Sequence, residues 1–434
     1  MDLSKQQLIA GKYIIGIDPA KAKHQAVLID PSGLQIGKSF AFDVTHEGYT
    51  KTLWKKVTFL LPNCNPDNTA FAIETSCNLW MTLAFYLKSE GYTVLMVSPL
   101  TTHLSRPMAK HDFSRTDPKD ALLVASNTLH GHFDPYREYS PSTNAMHRLG
   151  ITYDKLRKEL SQNRARLRAV IEQIFPEFLT VLEPDTQTAL YLLRRYLFPK
   201  DFIVMNLEQE AMAISTISRH QHGINTLLKL QLLAQRTIGV HKTAEECPAE
   251  RMTLNAWLSV IETLTAQIEK IFTALVALAQ QLPEYDILRS LKGISHLSAA
   301  LFLAEVRDIH SFQHYKQIQK FGALNLRLSQ SGQFVGARHI SHIGNKRLLW
   351  LLYSMTEETA KWIPEVRIKF LRRQLKSCKY RKNIIASTSQ LLKLIMALVK
   401  EQRPYQYKDE TLAQMKALEQ QVDQRKEEPQ KHAA

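Results

Sequence analysis

Four carboxylates stand where chemistry could use them. Asp117 and Asp120 bracket a Pro-Lys pair in "FSRTDPKDALLVA", just ahead of an apolar run. Asp18 ends the stretch "IIGID", and Glu74 falls near the end of "FAIET". Each acid has an ordinary reading by itself. Asp suits a helix N-cap, Pro the first helical position, and an acid in the first turn the positive helix end. Alone, "DPKD" is a well-made helix start, Asp18 before Pro19 a turn residue, and Glu74 a cap. Taken together they offer more. Residues 117 and 120 are three apart on one helix and share a face. Acids ending two neighbouring strands emerge at one sheet edge. Four converging carboxylates repel one another unless a divalent cation holds them, and hard oxygen ligands with room for water suit Mg²⁺ or Mn²⁺. Such a site activates a nucleophile and stabilises a leaving oxygen in phosphodiester chemistry.

The elements that would position these acids are legible as patterns. "KYIIGID", "HQAVLID" and "KSFAFDV" read as three strands, and "EGYTKTLWKKVTFLL" has helical spacing. "TAFAIET", "NLWMTLAFYLKSEGY" and "TVLMVSP" continue as strand, helix and strand, followed by the helix that begins at "DPKD". Hairpins first and crossovers afterwards predict a mixed sheet with helices packed on it. From about residue 140 strand signals nearly vanish, so the fold class is α/β plus all-α. "DKLRKELSQNRARLRAVIEQIF" and "LNAWLSVIETLTAQIEKIFTALVALAQQL" predict two long helices, paired with each other or with a second protomer. Between them lies a Leu- and Ala-rich helical insert, interrupted at "FPKD" and "CPAE". A helix–turn–helix pattern pivots on Gly293 in "LRSLKGISHLSAALFLAEV", and the tail beyond 401 is charged and reads as frayed or weakly helical.

Composition narrows the partners. The 434 residues are 44% hydrophobic and 22% charged, ordinary for a soluble protein, but the net charge is +15. That excess predicts a polyanion, nucleic acid before an anionic membrane surface. No apolar run approaches the ~20 residues of a membrane span, and the start carries no signal-peptide core. Four scattered cysteines argue against a disulfide framework or a zinc ribbon, so the expected setting is reducing and cytoplasmic. The densest positive run, "RIKFLRRQLKSCKYRKN", carries Arg372, Arg373, Lys376, Lys379, Arg381 and Lys382 with Phe370 and Tyr380 interleaved. It reads as a contact for nucleic-acid backbone.

At this point the chain resembles a known family. Asp18, Glu74, Asp117 and Asp120 match the Asp-Glu-Asp-Asp series of the insertion-sequence transposases of the one-ten family, whose relatives include pilin-gene invertases. The likeness runs over nearly the whole chain. It implies a ribonuclease-H-like, RuvC-like domain over 10–135, a coiled-coil segment with a helical insert over 140–285, and a mainly helical transposase domain over 286–400, before the tail at 401–434. In the last domain "LKGISHLSAALFLAEV", "FGALNLRLSQSG" and "HIGNKRLLWLLY" are similar to three family segments. Their register places the family's nucleophilic serine on Ser331, fixed by Gly332, with Ser329 as the competing choice. Lys292 and Ser295 replace a Pro and a Gly, Ala323 and Leu326 a Gly and a Pro, and Leu349 an Arg. The turn around Gly293 is therefore expected to be looser.

Without the resemblance, Ser331-Gly332 would be read as a polar turn. A serine hydroxyl is a weak nucleophile and needs activation, and no His-Asp pair stands at a recognisable spacing. Arg327, Arg338, Lys346 and Arg347 would stabilise phosphorane-like charge instead, while His339 and His342 read as backbone contacts or turn residues. The resemblance implies a DNA recombinase that binds donor and target DNA, works through a seryl–phosphate intermediate, and is guided by a structured RNA from the element's own ends. The expected state is a homo-oligomer through the helices near 153–174 and 255–282, with no membrane partner. The alternatives are a metal-dependent junction-resolving nuclease, a site-specific invertase of the same family, and a non-catalytic binder that keeps the fold.

Overall fold

A computed structural model describes residues 3–76, 78–110, 116–240, 245–327, 330–331, 334–335 and 339–431. The chain divides into two compact units, Met1–Glu138 and Tyr139–Ala434.

The first unit opens with a short helix, α1 (Leu3–Ile9), and then lays down β1 (Tyr13–Asp18), β2 (Lys23–Ile29) and β3 (Phe40–Asp43) as antiparallel neighbours. After α2 (Leu53–Leu60), the strand β4 (Thr69–Glu74) pairs parallel to β1. The helix α3 (Trp80–Ser89) leads to β5 (Thr93–Val97), parallel to β4. Next come α4 (Pro99–Lys110) and α5 (Asp117–Leu129), and β6 (Asp134–Pro135) closes the edge. The order β3-β2-β1-β4-β5-β6 is the mixed sheet that the sequence pattern predicts, in keeping with the ribonuclease-H-like domain that the resemblance implies. Parallel strands covered on both faces read as continuous apolar runs, and every residue of β4 is buried. Strand alternation sends Ile15, Ile17, Phe71 and Ile73 to the face covered by α2 and α3. Ile14, Ala70, Ala72 and Leu95 go to the face covered by α5. Gly16 decides how closely α5 lies. A Cβ there would fall 2.4 Å from the Ala121 carbonyl oxygen and 2.6 Å from the Ala125 nitrogen. The helix thus rests on β1 at a distance only glycine permits.

The second unit is built on two long helices, α6 (Pro141–Ile174) and, after the insert, α11 (Pro248–Ala279). Their buried positions follow a seven-residue rhythm: Met146, Tyr153, Leu160 and Leu167 on one, Leu254, Ile261, Ile268 and Leu275 on the other. Met146 shares a core with Leu275, and Leu167 shares another with Leu254, so the pair runs antiparallel. Assembly was expected because these helices had no obvious cover; they cover each other within one chain. The insert, α7 (Gln187–Arg195), α8 (Pro199–Ile203), α9 (Leu207–Ile217) and α10 (Ile224–Gln235), packs around Phe175, Phe178 and Phe202 at one end of the seam. The apparent interruptions "FPKD" and "CPAE" are helix starts, with Pro199 and Pro248 at the first positions of α8 and α11.

At the other end lie α12 (Pro283–Arg289), α13 (His296–Val306) and α14 (Tyr315–Phe321). Two short ladders follow: β7 (Leu326–Arg327) with β10 (His339–Ile340), and inside it β8 (Gln330–Ser331) with β9 (Phe334–Val335). Then come α15 (Lys346–Thr359), α16 (Pro364–Gln374), α17 (Tyr380–Lys400) and α18 (Asp409–Lys431). At the turn of Gly293 both substituting residues make contacts. Ser295 caps α13, accepting from the Ser298 N–H at 3.1 Å, and the Lys292 ammonium lies 3.7 Å from the Trp362 ring centroid. Among the described residues the charged tail forms the helix α18, where frayed or weakly helical chain was expected. α18 contributes Val422 to the buried set and binds α16 through Glu419 and Arg367 at 2.9 Å.

Candidate active site

The sheet brings the predicted acids to one edge. β1 and β4 are parallel neighbours in the register Ile17↔Ile73, so Asp18 and Glu74, one step further on, leave at the same end. The helix α5 starts at Asp117 and is held against β1 at Gly16, which places Asp120 over that end as well. The N-cap is Thr116, one residue earlier than the sequence suggests, so Asp117 opens the helix itself.

Electrostatics register the crowding. The Asp18 carboxyl is pushed up from its ordinary 3.8 to about 7, first by burial and then by Glu74, Asp120 and Asp117, with Arg106 opposing. Glu74 is also raised, by burial foremost, with Asp120 adding to it. The Thr102 hydroxyl, 1% exposed, makes no hydrogen bond of normal geometry, yet it lies near enough to Glu74 to favour the charged carboxylate. Sequence reasoning missed Arg106. From α4 its Nη2 donates to Asp120 Oδ1 at 2.8 Å and its Nε donates at 3.1 Å. The only available signal was that α4 follows β5 and so begins near the same sheet edge.

Among the described residues, no three His, Cys, Asp or Glu side chains are gathered closely enough to hold a metal ion. The chemistry of the donors nevertheless fits a hard divalent cation: only carboxylate oxygens, two of them raised by burial and by their acidic neighbours, beside the buried Thr102 hydroxyl. Arg106 supplies part of the missing positive charge at Asp120.

The serine site is less fully visible. Ser331 sits on β8, paired with Phe334, so it is strand rather than the polar turn its Ser-Gly context suggests. Ser329, Gly332 and Arg338 lie outside the described residues. The segment before the ladders is anchored by a left-handed residue. Ala323 has φ 58°, and the Ala323 and Leu324 N–H groups bond back to Lys320 and Gln319 at 3.1 and 2.8 Å. This is a Schellman helix end with alanine where glycine is favoured.

Behind the ladders, Gly344 has φ 143°, and a Cβ there would meet the Phe321 carbonyl oxygen at 2.6 Å. Asn345 then caps α15, its Oδ1 accepting from the N–H groups of Arg347 and Leu348 at 3.0 and 3.1 Å. Arg347 is not free for phosphate. Its guanidinium grips both carboxylate oxygens of the buried Glu305 on α13, at 2.8 and 3.2 Å, and Asn345 donates to the same carboxylate. Lys346 and Arg327 are exposed.

The basic run 367–383 is two helices and a turn rather than one helix. α16 ends at Gln374, Ser377 takes φ 55°, and α17 starts at Tyr380. Arg372, Lys376, Lys379, Arg381 and Lys382 are exposed, and none has an ion-pair partner among the described residues. Arg373 is half-buried, with its Nε lacking a partner. Phe370 does not face nucleic acid: helical spacing turns it into the core with Val366 and Leu371. Tyr380 stays exposed.

Among the described residues, no helix is long and apolar enough to cross a membrane. Residues 15–176 match the DEDD transposase domain of the IS110 family, described as a transposase. Residues 285–370 match the transposase IS116/IS110/IS902 family. Together the two matches span more than half of the chain. No curated protein matches it.

Proposed function

The chain belongs to the IS116/IS110/IS902 family of transposases, enzymes that cut and rejoin DNA, and we propose that it does so through a serine–phosphate intermediate at Ser331. The same reading gives Asp18, Glu74, Asp117 and Asp120 a Mg²⁺ or Mn²⁺ ion to hold. The observation that carries it is the gathering of these acids toward one sheet edge, where burial first and then Glu74, Asp120 and Asp117 lift Asp18 to about 7. An unligated structural cluster would gain by losing one charge; a cation site keeps all four. When bound, the cation supplies charge stabilisation to a reacting phosphodiester.

In the step itself, the Ser331 oxygen forms a bond to phosphorus and loses its proton. The bond from phosphorus to one sugar oxygen breaks, and that oxygen takes up a proton. Attack by a second sugar hydroxyl reverses the sequence and releases the serine. The phosphodiester energy is conserved throughout, so no external source is needed for rejoining. Arg327 and Lys346, exposed on either side of the serine in sequence, supply positive charge for the phosphate. Arg338 is assigned the same role from its place in the sequence. Arg372, Arg373, Lys376, Lys379, Arg381 and Lys382 are the basic surface for donor and target DNA and for a structured guide RNA, which the net charge of +15 accommodates. Two duplexes must be cut, which calls for a homo-oligomer whose protomers meet outside the α6–α11 seam.

The test is cleavage by Asp18→Asn and Asp120→Asn with Mg²⁺ supplied. Each variant should lose at least about a thousandfold of strand cleavage, roughly 4 kcal/mol of transition-state stabilisation, while DNA binding changes little. Full cleavage by both sinks the metal assignment and leaves the alternative of acids that only brace the fold.

A further inference from the structure

An exposed tryptophan is the most conspicuous surface feature of the second unit. Trp350 on α15 is 68% exposed, and its ring stands edge-on to Tyr353, with centroids 6.3 Å apart at 68°. Residues 350, 353 and 357 follow helical spacing along one face. At the far end of that face Tyr380 donates its hydroxyl to Glu357 Oε1 at 2.8 Å. The Tyr380 ring is 53% exposed and is fixed from behind by Phe370, 5.7 Å away at 76°. Both Glu357 and Arg381 act electrostatically on the Tyr353 hydroxyl, which puts them beside it. Lys346 lies one helical turn before Trp350, and Arg381 and Lys382 follow Tyr380 directly.

A single exposed hydrophobic residue needs no explanation. A row of three rings, Trp350 and Tyr380 exposed and Tyr353 half-buried against the core, flanked by cations without ion-pair partners among the described residues, does. The cations decide between occupants. The cores of protein interfaces take aromatic side chains and Arg but are depleted in lysine, so Lys346 and Lys382 beside these rings fit a second copy of this chain poorly. A duplex offers mainly phosphates, its base faces being stacked already, so it would use the cations and ignore the rings. An unpaired strand uses both, because every base has a face to stack and every nucleotide a phosphate. Its source is the DNA that this enzyme opens when it cuts. We propose that Trp350, Tyr353 and Tyr380 form a stacking platform for an unpaired DNA strand, with Lys346, Arg381 and Lys382 holding its phosphates. The inference rests on the reading above only for DNA as substrate, and needs neither Ser331 chemistry nor a metal.

The experiment is a set of anisotropy titrations of the full-length protein in chelator, at one fixed salt concentration. The probes are a labelled single-stranded oligonucleotide, its duplex, and an RNA of the same sequence. The single strand should bind more tightly than the duplex and should quench tryptophan emission. Trp350→Ala should weaken single-strand binding on the order of tenfold, the effect of losing one stacked base, with duplex binding nearly unchanged. Trp350→Phe should recover most of the loss. Tyr353→Leu, which keeps bulk but removes the ring, gives an independent reading should the alanine variant fold poorly. Unchanged single-strand binding in Trp350→Ala, or an equal loss for single strand and duplex, overturns the platform. Tighter binding of RNA than of DNA overturns the assignment of its source. Because the titration is run without metal or cleavage, failure of the serine chemistry leaves its outcome untouched.

Discussion

At the sheet edge of the first unit, Asp18 and Glu74 lie within electrostatic reach of Asp120, and Asp18 of Asp117 as well, with Arg106 as counter-charge, and both strand-end acids are raised above their ordinary range, by burial foremost. At the start of α15 in the second unit, Arg347 is met by Glu305 through two hydrogen bonds, and Asn345 completes the carboxylate's shell. Both places gather charge at the end of an element beside a family motif. One is left in excess of a single sign and the other is neutralised internally. A buried charge that is fully paired belongs to the architecture, since breaking it strands its partner in low dielectric. A cluster of like charges that the chain holds together at a cost points to a ligand. By that criterion Arg347, which the sequence suggests as a phosphate contact, moves to the structural side. The exposed cations of the 372–382 run stay on the functional side.

The comparison breaks most visibly at Arg347. Arg347→Ala should lower unfolding free energy by about 3 kcal/mol, because it leaves the Glu305 charge buried and unpaired. Urea denaturation reads this directly. Arg381→Ala should move stability by less than about 0.5 kcal/mol, while reducing the salt slope of DNA binding by roughly one unit. If both variants lose binding without losing stability, the distinction fails.

A smaller effect concerns pH. The Asp18 carboxyl titrates at its ordinary 3.8 in the unfolded chain and at about 7 in the folded one. Below the lower value both states are protonated, and the raised group contributes its full stability. Between the two values the unfolded chain releases a proton that the folded chain keeps, so stability falls as pH rises. The melting temperature of the parent minus that of Asp18→Asn, measured in chelator, should therefore decline from about pH 4 to pH 7, whereas His24, lowered by burial to about 4, drives the absolute stability of both chains the other way. Adding Mg²⁺ at pH 8 should restore stability to the parent chain and do less for the variant. A parent-minus-variant difference that rises over this window contradicts the raised carboxyl.

The smallest effect is at Ala323. Its left-handed backbone costs an L-residue about 1 kcal/mol that glycine does not pay. Ala323→Gly should stabilise the chain by about 0.5 kcal/mol after the greater freedom of the unfolded glycine is subtracted. No gain, or a loss, would mean that the Schellman end is relaxed by its surroundings.

Much of the first unit was readable beforehand because its information is local. Buried parallel strands are apolar runs, the hairpins precede the crossovers, and the positions of Asp18 and Glu74 follow from strand ends that are adjacent in the sheet. Arg106 was not readable, because its meeting with Asp120 depends on how α4 lies beside α5. Nor was the exclusion of Arg347, which depends on Glu305, more than forty residues earlier. Phe370 was misplaced because a basic run hides the helical phase of its one aromatic core residue. The tail looked frayed because its helix α18 is mostly polar or charged. Its docking rests on a few residues, Glu419 and Val422 among them, that composition cannot single out.

The central claim is that the recombination chemistry passes through Ser331. The direct measurement is to trap the reaction on a suicide DNA substrate, one that loses the strand needed for rejoining, and to look for a protein–DNA adduct on a denaturing gel. The account predicts an adduct with the parent chain, none with Ser331→Ala, and unimpaired DNA binding by that variant. Recombination by Ser331→Ala, or loss of the adduct in Ser329→Ala alone, would contradict it.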